Sequence, residues 1–286
     1  MLACPVNVSE GRHHEVIGNL AVACGSALVD LHSDVDHHRS VLTLAGSSDA
    51  VEEALWRLER RAAELLDVSF HHGVHPRLGA VDVVPFVSLN GGVFGRELAA
   101  ETARRHAGAV ASALGVPVFL YGDADPAGSL LPELRRQAFS ARLPDFGPDR
   151  PHPTLGAMAV GARLPLVALN CELAGPDVAL ARRIAATIRE SGGGLPGVRA
   201  LGFTLGSRHV AQVSMNLTDL ARTGVEQACM AVRNLARDDS NDVVRVELVG
   251  LLPASELARC SAAFLAWSDL AESQTLEARL EGRGPR

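Results

Sequence analysis

Twice along this chain of 286 residues, the hydrophobic pattern runs strand, helix, strand, strand, helix, strand. No other feature narrows the possible folds as far, because a helical period and a strand period cannot be exchanged without turning apolar side chains outward. In the first set the spacing predicts a strand over 3–8, a helix over 13–24, strands over 27–31 and 40–45, a helix over 49–66 and a strand over 80–89. The second helix places Val51, Ala54, Leu55, Leu58, Ala62 and Leu65 on one face. Asp49, with Glu52 three residues on, resembles a capping box at its start. In the second set a strand over 164–170 precedes a helix over 177–190, which Ser191 and three glycines end. Strands over 199–204 and 209–216, a helix over 224–236 opened by Thr223 with Glu226, and a strand over 243–249 complete it.

This order is ferredoxin-like, and the expected class is α+β with two such subdomains. The halves share no residue pattern, so the duplication rests on topology. Between them fall a helix over 96–114, a strand over 116–121 and a Pro/Gly-rich stretch over 145–156, whose three prolines exclude helix and central strand. Cys171 to Asp177, with Gly175-Pro176, is the expected boundary, giving subdomains over 1–172 and 173–270. A charged tail over 271–286 is expected to fray into disorder.

With 47% hydrophobic and 21% charged residues the chain has ample material for a core. Its net charge of -6 argues against nucleic acid or a membrane surface as partner. All 27 basic residues are arginine, so guanidinium forks are the fixed cations available for binding carboxylates. The five cysteines are odd in number, widely spaced and without Cys-x-x-Cys, which fits a reducing compartment. No signal peptide pattern and no apolar run of spanning length are seen, and a cytoplasmic location is expected.

The loop Ser69-Phe70-His71-His72-Gly73-Val74-His75-Pro76-Arg77-Leu78-Gly79-Ala80 packs three histidines and an arginine between a helix and an apolar strand. A ring that titrates near neutral pH beside a fixed cation suits proton transfer on an anionic substrate. Pro76 biases His75 toward extended backbone. Asn7 and Ser9, in Asn7-Val8-Ser9-Glu10-Gly11-Arg12, lie where a strand meets a helix N-terminus, as caps or as groups that present an anion site. Arg39, at a strand start after His38, could clamp a carboxylate. Walker, Rossmann and Gly-x-Ser-x-Gly patterns are absent. Histidines cluster at His13-His14, His37-His38 and His71-His72, none with a metal-motif spacing, so no metal site is expected unless one assembles in space. His13, His14, His37, His71 and His106 are expected as exposed bystanders.

Taken in order, several segments resemble the glutamate formiminotransferase family: the formiminotransferase part of formiminotransferase-cyclodeaminase and stand-alone bacterial relatives. They are the Asn7–Arg12 segment, His38-Arg39-Ser40-Val41, Gly73 through Asp82, Pro117-Val118-Phe119-Leu120-Tyr121-Gly122, Asp145-Phe146-Gly147-Pro148 and Gly161-Ala162-Arg163. In the second half they are Ala211-Gln212-Val213-Ser214-Met215-Asn216-Leu217-Thr218-Asp219 and Glu247-Leu248-Val249-Gly250-Leu251-Leu252-Pro253. Together they cover nearly the whole chain and are specific; singly each is weak.

The resemblance implies facing mixed sheets with helices outside, a tunnel between the subdomains, and a homodimer. It implies transfer of the formimino group from N-formimino-L-glutamate to tetrahydrofolate as co-substrate, a step of histidine degradation and one-carbon metabolism, with a separate cyclodeaminase next. The histidine of the family's His-Pro-Arg motif is catalytic; here that is His75. The family's folate loop corresponds to Gly147-Pro148-Asp149-Arg150-Pro151-His152-Pro153-Thr154-Leu155-Gly156. Arg77, Arg39, Asn7 and His32 are the candidate substrate-binding residues. Animal members carry an acidic residue at position 32, Asn at 38 and an aromatic at 155, where this chain has His32, His38 and Leu155. These departures leave open folate-dependent formyl transfer from 5-formyl-tetrahydrofolate to glutamate or another amine, and a folate-binding protein without catalysis.

Overall fold

Alternation decides the first sheet. Strands β1 (Leu2–Val8), β2 (Leu28–Asp34) and β3 (Arg39–Gly46) are joined through helix α1 (His14–Cys24) and a tight turn at 35–38. Helix α2 (Ser48–Leu65) then leads to β4 (Val81–Ser88). Strand order β2-β3-β1-β4 is the ferredoxin-like arrangement, antiparallel throughout. Val6 pairs with Leu42, and both turn their side chains to the helices. Their neighbours Asn7 and Val41 therefore point to the other face.

The sheet then grows in a way the periodicity does not foretell. After α3 (Gly92–Leu114) come β5 (Val118–Gly122), a short α4 (Leu131–Gln137) and β6 (Met158–Ala162). Strand β6 lies parallel between β4 and β5, giving six strands in the order β2-β3-β1-β4-β6-β5. All of β6 is buried, so its sequence carries no alternation to announce it. Helices α1, α2 and α3 cover one face around Leu55, Leu58, Phe86 and Val110. On the opposite face Leu134 of α4 packs with Phe119, Tyr121 and Ala159.

The second set gives β7 (Val167–Leu173), α5 (Val178–Ile188), β8 (Val198–Leu205), β9 (Val210–Leu217), α6 (Val225–Asp238) and β10 (Val243–Val249). Its order, β10-β7-β9-β8, repeats the first arrangement. All three pairings are antiparallel, so this sheet is not mixed as the resemblance implied. Leu169, Leu173, Ile184, Val213 and Val232 fill the core under α5 and α6. Helices α7 (Ala254–Ala258), α8 (Ala262–Ser268) and α9 (Leu276–Glu281) follow.

The computed structural model describes residues 1–74 and 76–282. The chain divides into two compact units, Met1–Leu164 and Pro165–Arg286. Strand β7 thus belongs whole to the second unit, whereas a boundary at 172 would cut it one residue before its end. The stretch after 271 does not fray as far as it is described: Leu252 bridges Thr275, and the Ala254 amide donates to Glu277. No helix among the described residues is long and apolar enough to cross a membrane. All five cysteines are free.

Both expected capping boxes give way to other partners. Ser47, not Asp49, caps α2 by accepting from the Ala50 amide at 3.3 Å. Helix α6 starts at Gly224 without a side-chain cap. Thr223 instead donates to the Pro196 carbonyl, and Glu226 accepts from the Ser261 amide and hydroxyl at 2.7 Å each.

Candidate active site

The first unit gathers polar side chains on the sheet face opposite its helices. Asn7 of β1 and His32 of β2 both pair with Val41 of β3, so the three form one row across neighbouring strands. Arg39 stands two residues before Val41 on that face. Burial pulls its guanidinium down to about 10, with Arg135 and Arg77 pushing the same way and Asp82 and Asp34 opposing. Arg77 is held down by burial too, with Asp82 opposing and Arg12 and Arg135 adding to the effect. It donates through Nη2 to the His37 carbonyl at 3.2 Å, while its Nη1 is buried without a hydrogen-bond partner among the described residues. Asp82, 1% exposed, is firmly held: Arg135 grips both its oxygens at 3.1 and 2.5 Å, and the Leu78 amide adds a bond at 2.6 Å. The charges of Arg39 and Arg77 also act with that of Asp82, so three guanidiniums stand near this buried carboxylate, with Asp34 near Arg39 as well.

The loop carrying Arg77 is stitched to the turn between β2 and β3. Val74 donates its amide to the Asp36 carbonyl at 3.2 Å. Gly73 permits the approach: a Cβ there would strike the His37 carbonyl, the His38 Cβ and the Arg77 guanidinium. His75 lies outside the described residues. The expected folate loop is pinned from the other side. Gly156, with φ of 68°, sits against the Leu78 backbone. Ala80 and Ala157 exchange backbone bonds with Leu155 and Leu78 at 2.9 and 3.0 Å. Gly147, Pro148, Asp149, Arg150, Pro151 and Pro153 are exposed, with Pro148, Arg150, Pro151 and Pro153 beside His152 along one groove. His152 accepts the Leu155 amide at 3.1 Å through Nδ1. Thr154 gives its carbonyl to the Val68 amide. Leu155 departs from the expectation: its side chain is 8% exposed and packs in the core with Val116 and Met158. It contributes packing rather than a surface for a ring to stack on.

Several histidines also depart from expectation. His37 and His106 are buried, and the His71 side chain is 11% exposed; His38, for which no exposure was expected, is buried too. His106 donates or accepts across the α2–α3 contact with Glu59 at 2.8 Å. His13 and His14 are exposed as expected. Glu10, His13, His38 and His71 come together from three segments. Glu10 is 2% exposed and accepts the Arg12 and His13 amides at 2.8 and 3.0 Å. Burial works against its charge, but these amides, with the His13 ring, hold its carboxyl at about 2.

Residues the sequence left out are recognisable in hindsight. Asp82 sits inside the apolar run Val81-Asp82-Val83-Val84, and a charge buried in a strand demands a partner. The same signal stands in the second unit. Glu172 of β7 accepts from Arg208 and Arg245 at 2.5 and 3.0 Å. Glu247 of β10 accepts from Asn170 and Arg245 at 2.9 and 3.2 Å. These groups share the sheet face away from α5 and α6. Nothing local marks Arg135, which is 53 positions from Asp82.

Residues 1–163 match the formiminotransferase domain, N-terminal subdomain, and residues 168–279 match the formiminotransferase domain. The glutamate formimidoyltransferase of Streptococcus pyogenes serotype M1 is 36% identical, over 99% of each chain. That of Thermoplasma acidophilum is 33% identical, over 98% of this chain and 97% of its own. The formimidoyltransferase-cyclodeaminase of Sus scrofa is 36% identical over 92% of this chain and 52% of its own length.

Proposed function

Because this chain belongs to the formiminotransferase family, both subdomains included, we propose that it moves the formimino group of N-formimino-L-glutamate to tetrahydrofolate. The products are L-glutamate and 5-formimino-tetrahydrofolate. One observation supports the reading: Arg77, whose Nη1 is buried without a hydrogen-bond partner among the described residues, stands with Arg39 and Arg135 near Asp82, which Arg135 grips through both oxygens. Such a centre accepts carboxylates, and the glutamate moiety supplies two. Asn7 and His32, in one row across that face, are the further polar groups assigned to the substrate.

The chemistry asks little beyond positioning and one proton carrier. The formimino carbon is an electrophilic sp² centre, and folate N5 is a neutral amine. Attack forms the new C–N5 bond and a tetrahedral intermediate. N5 then loses a proton, the departing glutamate nitrogen gains one, and the old C–N bond breaks. A single imidazole can accept the first proton and return it, and His75, in the His-Pro-Arg motif, is assigned that role. General acid–base catalysis of this kind is worth about 10²–10⁴-fold. Fixing both reactants in line adds to it. The 147–156 segment is assigned to folate.

Purified protein incubated with N-formimino-L-glutamate and tetrahydrofolate is expected to release L-glutamate and form 5-formimino-tetrahydrofolate in equal amounts. Absence of both products at high enzyme concentration overturns the proposal.

A further inference from the structure

Glu10, His13, His38 and His71 face one another with too few protons to go round. The Nδ1 of His38 meets the His72 carbonyl at 3.3 Å, and the Nδ1 of His71 meets the Asp67 carbonyl at 3.1 Å. A carbonyl only accepts, so both Nδ1 atoms carry the hydrogen. A neutral imidazole has one N–H, which leaves each Nε2 as a bare lone pair. Both lone pairs turn toward the Glu10 carboxylate, His38 at 3.2 Å and His71 at 4.0 Å. The Nε2 of His71 is buried with no hydrogen-bond partner among the described residues. The two rings lie parallel, 4.1 Å apart. His13 closes the group from the start of α1, with Nδ1 3.0 Å from the second Glu10 oxygen.

Imidazoles whose far nitrogen is bonded to a backbone carbonyl, grouped around an ionised carboxylate, are the usual surroundings of a transition metal. We propose that Glu10, His13 and His38 form a binding site for a divalent zinc-class cation, which His71 completes by turning out of its stack. Spacing supports it: donors around tetrahedral zinc, with bonds near 2.0–2.1 Å, stand about 3.3 Å apart. Glu10 lies 3.0 Å from His13 and 3.2 Å from His38, and the donor atoms of all three fall within 4.8 Å of one another. Glu10 follows β1, His13 precedes α1, His38 ends the β2–β3 turn and His71 starts the loop to Arg77. A bound cation thus ties together the segments that shape the arginine cluster. His38, with φ of 49°, already holds a backbone conformation that such tethering would secure.

The test uses the full chain, stripped by chelation and titrated with Co²⁺ or Zn²⁺ in a non-coordinating buffer. One equivalent of Co²⁺ should bind and give the visible absorption of a four-coordinate centre. Zn²⁺ should displace it and raise the melting temperature, as a ligand of the folded state must. Exposed His13→Ala keeps the fold and should weaken binding at least tenfold, with loss of the thermal shift. Glu10→Gln, close in shape to the native side chain, should abolish binding. No stoichiometric binding by the native chain, or undiminished binding by His13→Ala, overturns the proposal. The second result would assign the metal to other surface histidines.

Discussion

The two units share a strand order and use it differently. In the first, β2-β3-β1-β4 is extended by β6 and β5, and its chemistry gathers where strand ends meet loops: Glu10 after β1, His38 before β3, Arg77 before β4. In the second, β10-β7-β9-β8 is antiparallel alone, and its charged groups stand within the strands, Glu172 and Glu247 each shared with Arg245. The difference teaches that the same alternation builds both sheets, while placement of polar residues decides whether a sheet face is a scaffold or a site.

The sharpest way to break this division is to remove the proton carrier assigned to the first unit. His75→Ala should lower kcat by about 10²–10⁴-fold with an unchanged circular dichroism spectrum. Residual turnover within tenfold of the native enzyme would assign the chemistry elsewhere. Core truncation should instead act through stability in both units. Leu55→Ala under α2 and Leu169→Ala on β7 remove fully buried side chains, and each should cost about 2–5 kcal/mol in urea unfolding. A marked inequality would show that one core relaxes around the cavity and the other does not.

Arg77→Ala should raise KM for N-formimino-L-glutamate far more than it lowers kcat. A charge-assisted bond is worth about 1.5–3 kcal/mol, and 1.4 kcal/mol is a factor of ten. Arg245→Ala in the second unit is the matched control, and an equal rise there would erase the distinction between the faces.

A pH dependence belongs to the first unit. Burial alone would lower His106, but the charge and hydrogen bond of Glu59 outweigh it and raise the ring above its ordinary 6.5. A raised value in the folded state means that protonation stabilises folding. That contribution is complete below the ordinary value and fades as pH rises through the folded one. The stability gap between native protein and His106→Gln should therefore narrow from pH ~5.5 to pH ~8.5 in denaturant titrations. A gap that widens would reverse the assignment. The smallest effects are at helix caps: Ser47→Ala on α2 and Ser261→Ala on α8 should each cost about 1 kcal/mol.

Much of the fold was legible because its signals are local. The β-α-β-β-α-β order is found twice, since an amphipathic helix or half-buried strand declares its period within a dozen residues. Strand β6 was not, because a fully buried strand has no polar face to alternate with. The site was legible in its parts: Asn7, Arg39 and Arg77 stood out as polar groups at element ends. Glu10 and His71 read as ordinary loop residues, for their partners lie tens of positions away.

The sequence by itself determined the element types, their repeated order, the family and the absence of any lysine to share the arginines' work. Only the tertiary structure decided which of those elements became neighbours. Pairing register put Asn7 and His32 in one row with Val41, and chain closure brought Arg135 to Asp82 and His38 to Glu10. Periodicity fixes which face a side chain takes along its own strand. It cannot fix what stands opposite, because that depends on the free energy of closing loops and burying charges together.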